Sequence, residues 1–384
     1  MKRRILLPLI LIFCLLFTLT TYCTSLAGWD KRIKLTVDQT KIDTADLTWF
    51  PVTITLSSAA GHGVFHELDA DADYMKVAFT KADGTTELYA EMELFDVSEE
   101  TAVYHVSLDG WVISNTVDTD FFMYYDNDHA DNTTYIGAIN TTAGAAVWDG
   151  NFKFVCHMVD ATTSTVLDST SNNNDGTKKS AAHPASATGK VSLGQDFVGS
   201  ATDYITAATS ATFDFAAGFT LEMLADPDST DAFTILLSYY DATSKDGYNI
   251  YQYTDGAGNW LFQTRVNTVD KSIASNSAPT GAFDHIVGRR DADGVMLMYI
   301  NGAVQTATQT NAGAIDSNSK LYLGINYDEA SVPYAGIMDE VRISNTARTA
   351  EWIKATYNSL WNTLLTYGTE DFVGGNAVMF GINF

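Results

Sequence analysis

Along most of the chain, apolar and polar positions alternate with a period of two. Ile33, Leu35 and Val37 are separated by polar residues, and Val52, Ile54 and Leu56 repeat the pattern after Pro51. Similar runs are Met75 to Phe79, Val103-Tyr104-His105-Val106, Phe121 to Tyr125, Tyr248 to Tyr253, Trp260 to Val266, Val295 to Ile300 and Leu321 to Ile325. Successive side chains of a strand point to opposite faces, so this period predicts β-strands with one face buried. The runs are short and rich in β-branched and aromatic residues. Asp83-Gly84, Asp293-Gly294 and Asn301-Gly302 punctuate them, and their glycines accept the positive φ of hairpin turns. Only Thr349 to Leu360 carries a helical pattern, with Thr349 placed as a cap and Glu351 in the first turn. The chain therefore reads as all-β, of sandwich type, with one short C-terminal helix.

A length of 384 residues suggests two domains, and 46% apolar with 12% aromatic content is enough for two packed cores. The small-residue stretch Thr141-Thr142-Ala143-Gly144-Ala145-Ala146 marks a boundary. It gives a first domain over residues 28–146, a second over 147–366 and a tail over 367–384 that is either a last strand or an interaction segment. Ahead of these, Lys2, Arg3 and Arg4 precede an apolar run from Ile5 to Leu19, and Ser25-Leu26-Ala27 offers a small-x-small cleavage site. That layout predicts a secretory signal peptide over residues 1–27 and a secreted or cell-surface protein, with a retained anchor as the competing reading. Cleavage after Ala27 leaves Cys156 as the single thiol, so no internal disulfide forms, and its apolar neighbours predict a buried, inert side chain. A formal net charge of -25 excludes nucleic acid as the expected partner, because phosphate binding needs basic patches.

Four stretches of the second half carry a resemblance. They are Asp168 to Thr177, Asp196-Phe197-Val198-Gly199-Ser200 with Asp203-Tyr204-Ile205, Asp284-His285-Ile286-Val287 with Met298-Tyr299-Ile300-Asn301-Gly302, and Gly336 to Ser344 followed by Arg348 and Trp352-Ile353. In this order they resemble the laminin-G-like, concanavalin A-like lectin/glucanase jelly rolls over about residues 152–358. The first half resembles the domain of unknown function 2341 through Trp29-Asp30-Lys31-Arg32, Phe50-Pro51-Val52, Asp83-Gly84-Thr85 and Tyr124-Tyr125-Asp126-Asn127. The resemblance implies a small β-sandwich domain followed by a jelly-roll β-sandwich. Jelly rolls host many unrelated activities, so it implies far less about function.

Candidate chemistry narrows the choice. A retaining glycosidase needs two carboxylates about 5 Å apart. The Glu-x-Asp-x-x-Glu strand of the glucanases is absent. Glu222 with Asp226 and Asp339 with Glu340 are the nearest substitutes, and Asp339 and Glu340, being adjacent, are expected on opposite faces of their strand. No catalytic residue is assigned. His62 and His66 flank Gly63 in what reads as a loop, which does not suit a zinc pair. Calcium is the cation expected, with Asp168, Asn174 and Asp339 as ligands, since related jelly rolls often bring the opening loop near the closing strand. The same residues also read as turn-formers, with Asp339 paired to Arg342 or Arg348. For carbohydrate, Tyr251, Tyr253 and Trp260 are the stacking candidates, with Tyr239, Tyr240 and Tyr327 nearby. In Asn249-Ile250-Tyr251-Gln252-Tyr253, Ile250 would face the core and both tyrosines the surface.

These residues predict a non-catalytic binding protein whose second domain holds a glycan or cell-surface polymer. A structural or adhesive component of a surface layer, appendage or virion, contacting other envelope proteins, is the first alternative, and a glycoside hydrolase the second. Beyond the N-terminal segment, no stretch is apolar enough to imply a membrane partner.

Overall fold

The computed structural model describes residues 25–373, except 62, 161–163, 181–182, 208–210, 241–242, 244–245, 255–257 and 318. The expected signal segment (apart from its last three residues), His62 and the end of the tail lie outside the described residues.

Alternation along the strands sorts the side chains into two main cores. In the first unit the strands run, in spatial order, Leu365–Phe372, Lys31–Val37, Thr119–Tyr125, Val77–Lys81, Glu87–Asp96, Thr101–Ser107 and Val52–Leu56. Glu87–Asp96 begins against Val77–Lys81 (Phe79 opposite Leu88) and continues against Thr101–Ser107, so one long strand passes between two layers of a single folded sheet. Ile33, Leu35, Ile54, Phe79, Leu88, Tyr104 and Met123 fill the space between the layers.

Two sheets form the second unit. One contains Leu193–Val198, Ala335–Ser344, Phe219–Pro227, Asp284–Arg290 and Val295–Ile300 in that order, with Phe152–Cys156 also paired to Ala335–Ser344. The other runs from Thr165–Val166 through Leu321–Leu323, Thr234–Tyr240, Gly247–Gln252 and Trp260–Val266 to Val269–Ala274. Leu221, Met223, Leu237, Tyr248, Ile250, Trp260, Phe262, Met338, Val341 and Ile343 pack between them. Asn301 and Gly302 turn with φ of 52° and 75°, the left-handed pair of a type I′ hairpin. The protein is thus nearly all β, and no helix among the described residues is long and apolar enough to cross a membrane. His66 sits on a short helix, Gly63–Glu67, where a loop was expected.

The C-terminal segment does not trail from the second unit. Helix Ala350–Leu360, capped by the Thr349 hydroxyl, sets Trp352 and Ala355 into the first core and Ile353 against Val287 and Tyr299 of the second unit. Strand Leu365–Phe372 then pairs antiparallel with Lys31–Val37, and Leu364 and Leu365 join the first core. The expected boundary after residue 366 falls inside this strand. Apolar spacing alone could not say which sheet edge it would join. Leu364→Ala is expected to destabilise the first unit by about 2–4 kcal/mol, as buried leucine truncations do. Urea unfolding followed by first-unit tryptophan fluorescence would show it, and an unchanged midpoint would mean the strand contributes nothing there.

Candidate functional site

A groove of about 450 Å³ lies on the outer face of the sheet that ends the second unit. Its floor follows from strand parity. Along Gly247–Gln252, Tyr248, Ile250 and Gln252 turn inward, leaving Asn249 and Tyr251 outward. Along Trp260–Val266, Trp260, Phe262, Thr264 and Val266 are buried, leaving Gln263 and Arg265 outward. Register places Tyr251 beside Ile235 and Gly247 beside both Tyr240 and Arg265, so the groove extends about 13 Å along the strands.

Aromatic rings mark both ends. Phe233 and Tyr253 meet edge to face with centroids 5.3 Å apart and Tyr251 completes the group, while Tyr240 and Tyr327 lie 4.6 Å apart at the other end. Polar groups lie between them. Asn249 Nδ2 donates to Gln263 Oε1 at 3.0 Å, and Arg265 Nη1 pairs with Asp270 Oδ2 at 3.2 Å while its guanidinium approaches the Tyr240 ring at 5.5 Å. Asn326, from the loop after Leu321–Leu323, donates to Ser331 Oγ at 3.1 Å on the rim. Burial raises the Tyr251 hydroxyl above its ordinary pKa, so it stays a neutral donor. Apolar rings flanking amides and one ion pair can stack on a ring-shaped ligand and fix its hydroxyl groups.

Of the expected sugar-contacting residues, Tyr251 and Tyr253 line this groove, and Tyr253 is 42% exposed. Trp260 does not. It is wholly buried, and its indole N–H donates to Asp284 Oδ2 at 3.0 Å. It shares inward parity with Phe262, which rules out any stacking surface. Tyr239 is likewise core, whereas Tyr240 and Tyr327 line the groove.

Of the three expected cation ligands, Asp168 and Asn174 share one hydrogen-bonded loop and Asp339 lies in a separate network. Asp168 Oδ1 accepts from the Val155 and Thr170 amides, and Oδ2 from Thr170 Oγ1 and the Asn174 amide. Burial pushes its carboxyl up to about 6 against those four bonds. Asn174 Nδ2 donates to the Lys153 carbonyl, and Asp339 Oδ2 accepts from the Lys190 and Val191 amides. Asp339 pairs with neither arginine: Arg342 holds Glu340 and Arg348 holds Asp149.

A second constellation went unrecognised in the sequence. Glu93, His105, His157 and Glu340 each bring one donor atom to a common point, all within 4.8 Å of one another and all buried. Glu91-Met92-Glu93 held the signal: two carboxylates two residues apart on a strand, with His105 a further polar intruder in an apolar run. Asp339 and Glu340 also depart from expectation. Met338, Val341 and Ile343 face the second core, so Asp339 and Glu340 both turn away from it. Glu340 has a φ of 51°, and the ladder to Phe219–Pro227 shifts register there. This bulge breaks the alternation that would have placed the two on opposite faces.

Residues 199–354 match the family model described as the concanavalin A-like lectin/glucanases superfamily. The second unit carries a concanavalin A-like domain. No curated protein matches the chain. Among solved structures, the binding domain of Paraclostridial Mosquitocidal Protein 1 is similar at 15% identity and a TM-score of 0.45, covering 55% of this chain and 53% of that one. Domain 4 of an extracellular arabinanase from Geobacillus stearothermophilus, solved with arabinotriose, is similar at 20% identity and 0.41, covering 53% and 97%. The ligand-binding domain of botulinum neurotoxin serotype D, solved with N-acetylneuraminic acid, is similar at 14% identity and 0.42, covering 54% and 50%. The chain thus spans about half the length of the mosquitocidal and neurotoxin domains.

Proposed function

We propose that this protein is an exported, non-catalytic carbohydrate-binding protein, and that the groove of its concanavalin A-like domain holds a glycan of a cell surface or extracellular polymer. The observation that carries this is the groove itself: Tyr253 and Phe233 at one end, Tyr240 and Tyr327 at the other, and Asn249, Gln263 and Arg265 between. Its described lining offers a single carboxylate, Asp270, already paired to Arg265, whereas glycoside hydrolysis by the usual route needs two. The concanavalin A-like fold supports a binding role as a scaffold, and the argument for a sugar rests on the side chains.

A glycan array probed with the chain from residue 28 onward is expected to return a restricted set of oligosaccharides. For the best of them, Tyr253→Ala and Tyr251→Ala should each weaken binding by about 1–2 kcal/mol, roughly 5–30-fold, at unchanged melting temperature. Calorimetric titration measures both. No binding across a broad array, or affinities indifferent to both substitutions, would remove the groove as a glycan site and favour the adhesive reading.

A further inference from the structure

The two units meet through the outer faces of their sheets, and ionisable side chains are buried where they meet. The first unit contributes Glu91 and Glu93 from strand Glu87–Asp96 and His105 from Thr101–Ser107. From the second come His157, just after Phe152–Cys156, and Asp339, Glu340 and Arg342 from Ala335–Ser344. We propose that Glu93, His105, His157 and Glu340 form a closed, four-coordinate site for a zinc-class divalent cation that fastens the two sandwiches together.

The geometry of the donors comes first. His105 Nε2 lies 2.7 Å from Glu93 Oε2 and 3.9 Å from Glu340 Oε1. His157 Nδ1 lies 2.5 Å from Glu340 Oε1 and 3.5 Å from Glu93 Oε2. The two imidazoles stack with centroids 4.5 Å apart and planes 17° from parallel, so one ring must swing out of the stack for a single ion to lie in both ring planes. Tetrahedral bonds of about 2.0–2.1 Å put neighbouring donors roughly 3.4 Å apart. The two longer separations, 3.5 and 3.9 Å, exceed that value by at most about 0.5 Å, and the two shorter ones need to open by less than about 1 Å.

Each donor's companion atom is already anchored, which is how bound ligands are oriented. His157 Nε2 faces Glu91 Oε2 at 3.2 Å, and Glu91 Oε2 in turn accepts the Trp148 indole N–H at 2.6 Å. His105 Nδ1 lies 3.1 Å from Thr53 Oγ1. Ser192 donates to the other oxygen of Glu93, and Arg342 to the other oxygen of Glu340. With a proton on His157 Nε2 and another on His105 Nδ1, His157 Nδ1 and His105 Nε2 are left with the lone pairs a cation would use. Four side chains are thus held from behind, with one ligating atom each left for the ion.

Charge supplies the independent argument. Glu91 Oε1 and Asp339 Oδ1 are buried here with no hydrogen-bond partner among the described residues. With Glu93 and Glu340 they set four buried carboxylates against the guanidinium of Arg342 and the one charge that His157, facing Glu340 and Glu91, can carry, and buried carboxylates in excess of their partners are strongly unfavourable. A dication answers that excess. Two imidazoles select against calcium, which takes six to eight oxygens, and suit zinc and its neighbours. Four protein donors in a fully buried setting leave no open position, so the ion's role is to hold the two units together.

The test uses the untagged full chain, because the ligands come from both units. Protein expressed in zinc-supplemented medium, and protein refolded with zinc after chelator stripping, are exchanged into metal-free buffer and counted by elemental mass spectrometry. One zinc per chain is expected in both. Cobalt in its place should give the intense visible bands of a four-coordinate site. Competition with a chromophoric chelator should show Glu93→Gln weakening zinc at least about 100-fold, and Glu91→Gln, behind His157, about 10–100-fold. Should a variant fail to fold, the wild-type count and cobalt spectrum still decide. Folded wild-type protein without zinc by either route overturns the proposal, as does calcium bound in zinc's place or a six-coordinate cobalt spectrum. None of these readouts depends on glycan binding.

Discussion

Replacing Arg348 with alanine is expected to remove about 3–5 kcal/mol of folding free energy, because it leaves a buried carboxylate without its partner. Arg348 Nη1 and Nη2 bond Asp149 Oδ2 and Oδ1 at 2.6 and 2.8 Å, a bidentate pair that ties the first residues of the second unit to the start of the last helix. The guanidinium also lies between the rings of Phe152 and Trp352, 4.3 and 4.1 Å from their centroids, and Nε donates to Ser344 Oγ. Lysine reproduces neither the fork nor the stacking, so Arg348→Lys should recover little. Urea unfolding of the full chain measures both variants. Burial opposes ionisation of Asp149, but the bonds from Arg348 outweigh it and hold the carboxyl below 3.8. The pair's contribution is therefore fully present above the ordinary carboxylate pKa and is lost as pH falls through the lower folded value. In Arg348→Ala burial is opposed only by the Asn151 amide bond, so the deficit should narrow as pH is lowered toward 4. A deficit under 1 kcal/mol, or one independent of pH, would show that the pair is solvated and not structural.

How much of this was legible in the sequence depended on whether a feature was local. Period-two alternation located the strands at Ile33 to Val37, Val52 to Leu56 and Tyr248 to Tyr253, because a strand's faces are set by parity along one segment. The same rule set Ile250 inward and Tyr251 outward. Parity likewise carried the information that Trp260 shares a face with Phe262, yet its size drew it into the candidate platform. Alternation failed at Glu340, where a left-handed residue and a register shift put two neighbours on one face. Pairing between distant segments was not legible at all. Nothing in Leu365–Phe372 specifies Lys31–Val37 as its partner, and nothing near His157 announces that Glu93 and His105 will face it across two sheets. The first is a choice of sheet edge within one unit and the second depends on how the outer faces of two units pack, and neither is set by the pattern of a single segment.

Trp260→Ala is the second large effect expected, about 3–5 kcal/mol of lost stability, and it separates a core tryptophan from a sugar platform. The indole is wholly enclosed between the two sheets of the concanavalin A-like domain. Its N–H supplies one of the bonds to Asp284, whose carboxylate also accepts from the Thr280 amide and hydroxyl and from Asn301 Nδ2. That carboxylate thus ties the opening of strand Trp260–Val266 to the Asn301-Gly302 hairpin. Trp260→Phe keeps most of the apolar volume and removes the one donor, so it should be milder, about 1–3 kcal/mol, the usual result of leaving a buried acceptor one bond short. Both variants, titrated while still folded at low temperature, should bind the glycan found on the array as the parent does, because no atom of Trp260 reaches the groove. Tyr253→Ala should do the reverse, losing affinity while keeping the parent's unfolding midpoint. If Trp260→Phe instead lost affinity with its stability intact, the ligand would have to reach the space between the sheets, and the outer groove could not be its site.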